Sequence, residues 1–121
     1  MENPGSEDQE PERGTGEDEF RRDAERLAHF LALLSDENEG VRWKAAETLG
    51  RIRDPAAVEE LVGTLWDDDE RVRLKTVWAL GQIGDPRAVA PLRRLYRMEN
   101  ENVREIITEA LEAIARRHQG E

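Results

Sequence analysis

The sequence contains no cysteine, which excludes disulfide bonds and thiolate metal sites. Its two histidines, His29 and His118, are too far apart to form the paired spacing of a metal-binding motif. No apolar run approaches the roughly 18 residues of a membrane-spanning helix, and the N-terminus is acidic where a secretory signal would be basic. We therefore expect a protein without metal, cofactor or membrane contact and, by default, a cytoplasmic one.

Residues suited to catalysis are equally scarce. Ser6 lies in the N-terminal segment and Ser35 at the end of a predicted helix, so neither is placed for a Ser–His–Asp arrangement. Glycine-rich phosphate loops are absent. The acidic run at 67–70 lacks the spaced ligands and turn glycine of a calcium loop, and we interpret it as a turn between helices. These features predict a protein that is not an enzyme and has no catalytic residues.

What the sequence does have is a repeat with a period of 31 residues. Three segments superimpose at that spacing, as shown by Val41-Arg42, Val72-Arg73 and Val103-Arg104, by Leu49, Leu80 and Leu111, and by Asp54-Pro55 and Asp85-Pro86. A fixed period in this range is typical of stacked supersecondary units, each contacting only its neighbours.

Each unit has the pattern of two helices. Apolar residues of the first helix follow the i, i+4, i+8, i+11 spacing of one buried stripe, as in Val41, Ala45, Leu49 and Ile52. An Asp-Pro pair then supplies the N-cap and first residue of the second helix. We predict an all-α fold, a short α-solenoid of about six helices. Its parts are an N-terminal capping helix at 20–35, repeats at 40–66 and 71–98, and a C-terminal capping helix at 102–117.

Two features recur inside the predicted helices. Gly50 and Gly81 share one register, and each costs about 1 kcal/mol relative to alanine in a helix, so we predict that neighbouring helices approach closely there. An arginine also recurs at the second position of each copy. We expect a ladder of structural hydrogen bonds from these arginines to the acidic turns or to the Asp-Pro aspartates; they are Arg42, Arg73 and Arg104.

Residues 1–19 differ from the rest of the chain in composition. They carry eight acidic residues, one arginine and no apolar residue beyond Met1. Such a segment cannot bury enough surface to offset its ordering entropy, so we predict a disordered acidic tail before a folded domain at 20–121. The tail has two interpretations, a solubilising leader or an arm that binds a basic patch.

The pattern Val-Arg-x-x-Ala-x-x-x-Leu-Gly-x-Ile-x-Asp-Pro-x-Ala-Val-x-x-Leu runs from Val41 to Leu61 and, as a near-copy, from Val72 to Leu92. It resembles the HEAT-like repeats of the phycobilin-lyase type, over residues 20–117. Arg53 stands where the pattern favours glycine, and the third copy is degenerate, as a terminal cap would be. The resemblance implies an α-solenoid but is weak for function, because such repeats serve scaffolds, enzyme subunits and chromophore lyases alike.

The resemblance also implies a binding face, since the matching first-helix positions of designed HEAT-like binders form a variable concave surface. Trp43 lies about 200° around the helix from Val41 and Ala45, so it does not point into the core of its unit. An apolar centre with a charged rim is typical of a protein-binding hot spot. The alternative is that the tryptophans wedge between repeats or stack under Arg51 or Lys75. The face predicted from the resemblance comprises Trp43, Lys44, Glu47, Arg51, Arg71, Leu74, Lys75, Trp78, Gln82 and Ile106.

We predict a non-catalytic protein–protein interaction or scaffold module that binds another protein through this face. One alternative is a subunit of a HEAT-like enzyme, such as a phycobilin-lyase-type chromophore lyase. Another is a homodimer formed through the tryptophan patch. Nucleic-acid binding is disfavoured, because the predicted domain is net acidic. It contains fifteen of the sixteen arginines of the chain, and these are interleaved with acidic residues.

Overall fold

The computed structural model describes residues 16–119, and that range is helical almost throughout, with no strand. Two 3₁₀ turns, Pro55–Ala57 and Pro86–Ala88, lead into the α-helices that begin at Val58 and Val89. The predicted all-α repeat architecture is confirmed. In chain order the six α-helices are α1 (Gly16–Leu33), α2 (Glu39–Ile52), α3 (Val58–Thr64), α4 (Glu70–Ile83), α5 (Val89–Tyr96) and α6 (Glu101–Arg117).

Short polar side chains start the helices at equivalent positions of the copies. Asn38, Asp69 and Asn100 precede α2, α4 and α6, and each side chain accepts hydrogen bonds from backbone N–H groups of the first turn. Asp54 and Asp85 do the same ahead of the prolines. The predicted Asp-Pro helix starts are confirmed, and in both copies a 3₁₀ turn comes first, before α3 and before α5.

The helices form two layers with the core between them. The first helices of the copies, α2, α4 and α6, pack side by side, while α1, α3 and α5 each pack against the first helix that follows. The predicted cap α1 therefore takes the place of a second helix one period early. Both layers contribute fully buried side chains to the core, among them Leu49, Leu61, Leu80, Leu92 and Ile107.

Glycine allows the first helices to approach closely. A β-carbon added to Gly50 would lie 2.9 Å from the Cα atom of Ala79 in α4. One added to Gly81 would lie 3.0 Å from the Cα atom of Ala110 in α6. The predicted close approach is confirmed, and at both contacts a side chain would have to displace the neighbouring helix backbone.

The recurring arginines join successive copies. Arg42 donates to both carboxylate oxygens of Asp67, at 2.8 and 3.0 Å. Arg73 donates in the same way to Glu99 and also, at 2.8 Å, to the carbonyl oxygen of Asp67. Arg104, in the last copy, donates to a backbone carbonyl oxygen. Of the two predicted sets of acceptors, the acidic turns are the ones used by Arg42 and Arg73.

The predicted tail boundary at residue 20 is wrong by four residues, because α1 begins at Gly16. The prediction used only the number of acidic residues in this segment and not their position in a helix. Glu17, Asp18 and Glu19 occupy the first turn of α1, where the helix dipole stabilises negative charge, and Asp18 pairs with Arg21 at 3.2 Å. The rest of the predicted tail, residues 1–15, lies outside the described residues, as do residues 120–121.

One strained residue ends α2 and gives a testable expectation. Arg53 has φ 62° in the left-handed region, at the register where the next copy has Gly84 with φ 76°. The side chain there costs about 1–2 kcal/mol, whereas glycine loses roughly 0.5–1 kcal/mol more backbone entropy on folding. We expect Arg53→Gly to raise the free energy of unfolding by about 0.5–1 kcal/mol, measured by urea denaturation.

The reciprocal change is the control. In Gly84→Ala the new β-carbon would lie 2.6 Å from Cδ of Arg117. The alanine would also be held in the left-handed backbone conformation that is unfavourable for it, so the free energy of unfolding should fall. Equal or lower stability of Arg53→Gly would show that the arginine is not strained.

Candidate partner-binding face

The outward sides of α2, α4 and α6 form one surface because these helices lie side by side. We call it the first-helix face. Every residue of the predicted binding set is at least partly accessible on it. Lys44, Arg51 and Arg71 are exposed. The half-buried members are Trp43, Glu47, Leu74, Lys75, Trp78, Gln82 and Ile106.

Four of these residues form a compact cluster that we call the lysine clamp: Trp43, Glu47, Lys75 and Trp78. The Lys75 ammonium nitrogen lies 5.0 Å from the centroid of the Trp43 ring and 5.1 Å from that of Trp78. It also donates to a carboxylate oxygen of Glu47 at 3.0 Å. Two cation–π contacts and one ion pair thus hold a single side chain between α2 and α4.

The clamp matches the alternative interpretation, in which the tryptophans stack under a basic side chain, and that side chain is Lys75. Its four-carbon stem spans the gap between the helices, and its side chain is only 27% exposed. Arg51, the other candidate for stacking on the indoles, is 72% exposed and pairs with Glu47 at 3.5 Å.

The two indoles of the clamp differ in how they are supported. Trp78 packs against the hydrophobic core, and its Cζ3 atom lies in the space that a β-carbon of Gly50 would occupy. It therefore wedges between copies while keeping part of its surface accessible. Trp43 is also half-buried, and the Lys75 ammonium lies over its ring.

A shallow groove of about 200 Å³ opens on the face between α4 and α6. Trp78, Gln82 and Ile106 of the predicted set line it. So do residues that sequence reasoning missed: Gly81, Glu109, Ala110, Ala113 and Arg116.

Part of the missed set was detectable from the repeat. Glu109 and Ala113 stand one period, 31 residues, after Trp78 and Gln82. Applying the period to the degenerate third copy would therefore have found both. Arg116 falls at the register of Asp85, where no copy suggests a face position, so the fold alone places it at the groove.

Comparison with known families agrees with this architecture. The sequence model of the family described as HEAT repeats matches residues 27–112, which is more than half of the chain. The chain is a HEAT repeat protein. None of the curated protein sequences matches it significantly. The match identifies the repeats and does not distinguish the phycobilin-lyase-type subgroup that the sequence pattern resembles.

Electrostatics on the face of this HEAT repeat protein are dominated by the clamp. The hydrogen bond from Lys75 lowers the pKa of Glu47 against the opposing effect of partial burial, and the charges of Lys75, Arg51 and Lys44 add to the lowering. Glu47 is therefore ionised near neutral pH, and Lys75 offsets its negative charge. Arg71, another member of the predicted set, pairs with Asp69, the cap of its own helix, at 3.1 Å.

A second hollow, of about 550 Å³, lies away from the face between α1 and the turn after α2. Its charged lining residues are two acids and two bases: Asp23, Arg26, Arg53 and Asp54. Within residues 16–119, no three acidic or histidine side chains converge as metal ligands. No helix in that range has the length and apolar character needed to cross a membrane.

Proposed function

We propose that this HEAT repeat protein is a non-catalytic scaffold module that binds another protein through the first-helix face. The observation that carries the proposal is the pair of partly accessible indoles on adjacent helices, held by Lys75 beside an open groove. Tryptophan is enriched among the residues that dominate binding energy at protein interfaces. HEAT repeats commonly mediate protein–protein interaction, which supports a protein as the partner.

Preorganisation gives the clamp a role in such binding. Ordering a free side chain at an interface costs about 0.5–1.5 kcal/mol. Lys75 already fixes both indoles in the free protein, and Glu47 in turn fixes Lys75. A partner that contacts the face would therefore meet rigid aromatic edges.

Photocrosslinking tests where the partner binds. Benzoylphenylalanine at Lys44, an exposed position next to Trp43, is expected to give a discrete adduct in extract of the native organism. The same label at Arg94, exposed on α5 in the opposite layer, should give none. Adducts are identified by mass spectrometry.

Two tryptophan variants sharpen that result. Trp43→Ala should remove the Lys44 adduct while leaving helicity unchanged by circular dichroism. Trp66→Ala, which deletes a 43%-exposed tryptophan away from the first-helix face, should leave the adduct intact. Equal labelling from Arg94, or an adduct indifferent to Trp43→Ala, would refute binding through this face.

A further inference from the structure

The clamp has no counterpart at the next step of the stack. One period after Trp43, Glu47 and Lys75 stand Leu74, Trp78 and Ile106. Across α2 and α4 the face therefore carries the Glu47–Lys75 ion pair, and Lys75 also covers the two indoles. Across α4 and α6 it carries apolar side chains, and this is where the groove opens.

The groove is sized for a side chain. Its volume of about 200 Å³ is below the roughly 300 Å³ at which small-molecule sites begin. Trp78 and Ile106 form its apolar walls, and the small residues Gly81, Ala110 and Ala113 complete its apolar lining. A Leu, Met or Phe side chain projecting from a partner is the kind of group that such a groove accepts.

Charge on the α6 side of the groove is unbalanced. Glu105, Glu109 and Glu112 are exposed, and within residues 16–119 none of them makes an ion pair. Two other acids near the face are paired, Glu47 with Lys75 and Asp69 with Arg71. Of these acids only Glu109 lines the groove, together with Arg116 of opposite charge. Glu105 and Glu112 lie beside it on the same stripe of α6, four residues before and three residues after Glu109, and make that stripe net negative.

Building on the proposed function, we propose that the partner presents a basic amphipathic helix to the groove between α4 and α6. Its apolar side chain packs between Trp78 and Ile106. Its Lys or Arg side chains pair with Glu105 and Glu109, which make no ion pair with any residue in the described range. A helix laying its apolar face into a hydrophobic groove is a recurring mode of recognition. The net charge of −10 on the chain accelerates encounter with a basic partner.

Two synthetic amphipathic helices with the same leucine stripe test the chemistry, one with lysines and one with glutamates on its polar face. Fluorescence anisotropy with the full chain should show the lysine peptide binding about tenfold more tightly or better, a difference of about 1.4 kcal/mol. Ile106→Ser should weaken that binding, because it removes an apolar wall of the groove.

Charge reversal separates local pairing from bulk attraction. Glu105→Lys with Glu109→Lys should abolish or invert the preference between the peptides. The matched control, Glu59→Lys with Glu60→Lys, changes the net charge equally at exposed positions of α3 and should preserve the preference. Equal loss in both double variants would mean bulk attraction only and would overturn the proposal.

The remaining outcomes distinguish this inference from the scaffold function. Tighter binding of the glutamate peptide, weakened by Ile106→Ser, would overturn the basic partner while supporting the face itself. Binding of neither peptide would also overturn it. The scaffold function is judged separately, by the adduct at Lys44.

Discussion

Arg42→Ala is expected to destabilise the protein by about 3 kcal/mol at neutral pH, because it leaves a largely buried carboxylate without its cation. The Arg42 and Asp67 side chains are only 14% and 10% exposed. The guanidinium also donates to the carbonyl oxygens of Asp36 and Glu37, which would lose these bonds. Urea denaturation of the variant and the parent measures the difference.

Acid should reduce that difference, and the sign follows from the pKa of Asp67. Burial alone would raise this pKa, but the hydrogen bond and charge of Arg42, with the Asp69 backbone N–H, hold it below its ordinary value. The stabilisation is therefore complete above the unfolded pKa of about 3.9 and is lost as pH falls through the lower folded pKa. The gap between parent and Arg42→Ala should narrow below about pH 4.

Arg42→Lys is the control for geometry. It keeps the charge but loses the paired N–H donors that meet both oxygens of Asp67, so its loss should be intermediate. If Arg42→Ala cost under about 1 kcal/mol, the pair would behave as an ordinary surface ion pair and the ladder would not hold the copies together.

Gly50→Leu is expected to cost about 3 kcal/mol or more, through overpacking of the seam between α2 and α4. Its β-carbon alone would lie 2.5 Å from Cζ3 of Trp78 and 2.9 Å from the Cα atom of Ala79. The indole could rotate away, but the backbone of α4 cannot move without disturbing the core behind it. Thermal unfolding and denaturant midpoints report the loss.

Gly63→Leu is the matched control, since Gly63 is also helical but has nothing within 4 Å of an added β-carbon. There the better helix propensity of leucine should raise stability by about 0.5–1 kcal/mol. Similar stabilities of the two leucine variants would show that the first helices are not in the close contact described above.

The same seam links stability to the face. Gly50 makes room for Trp78, and Trp78 with Trp43 holds Lys75. Gly50→Leu should therefore disturb the clamp as well as the core, whereas Gly63→Leu leaves both unchanged.

Local pattern and period were enough to predict the helices and most of their connections. The caps at Asn38, Asp69 and Asn100, the Asp-Pro starts and the helical apolar stripes are short-range features, so each could be inferred from a few neighbouring residues. The period then predicted the glycine contacts and the arginine ladder, since a residue repeated at one register meets the same surroundings in each copy.

The same reasoning failed at the N-terminus, because it did not consider the position of the acidic residues within a helix. Residues 17–19 are all acidic, as in a disordered tail, yet they form the first turn of α1, where the helix dipole stabilises their charge.

By itself, then, the sequence determined a HEAT repeat stack of six helices and the side of it that carries Trp43 and Trp78. Only the tertiary structure decided that Lys75 lies between two indoles and that Arg116 reaches the groove. The physical reason is that periodicity fixes which side of a helix a residue occupies. What a long side chain touches across the gap depends on how closely two helices pack, and that distance is set by the whole core.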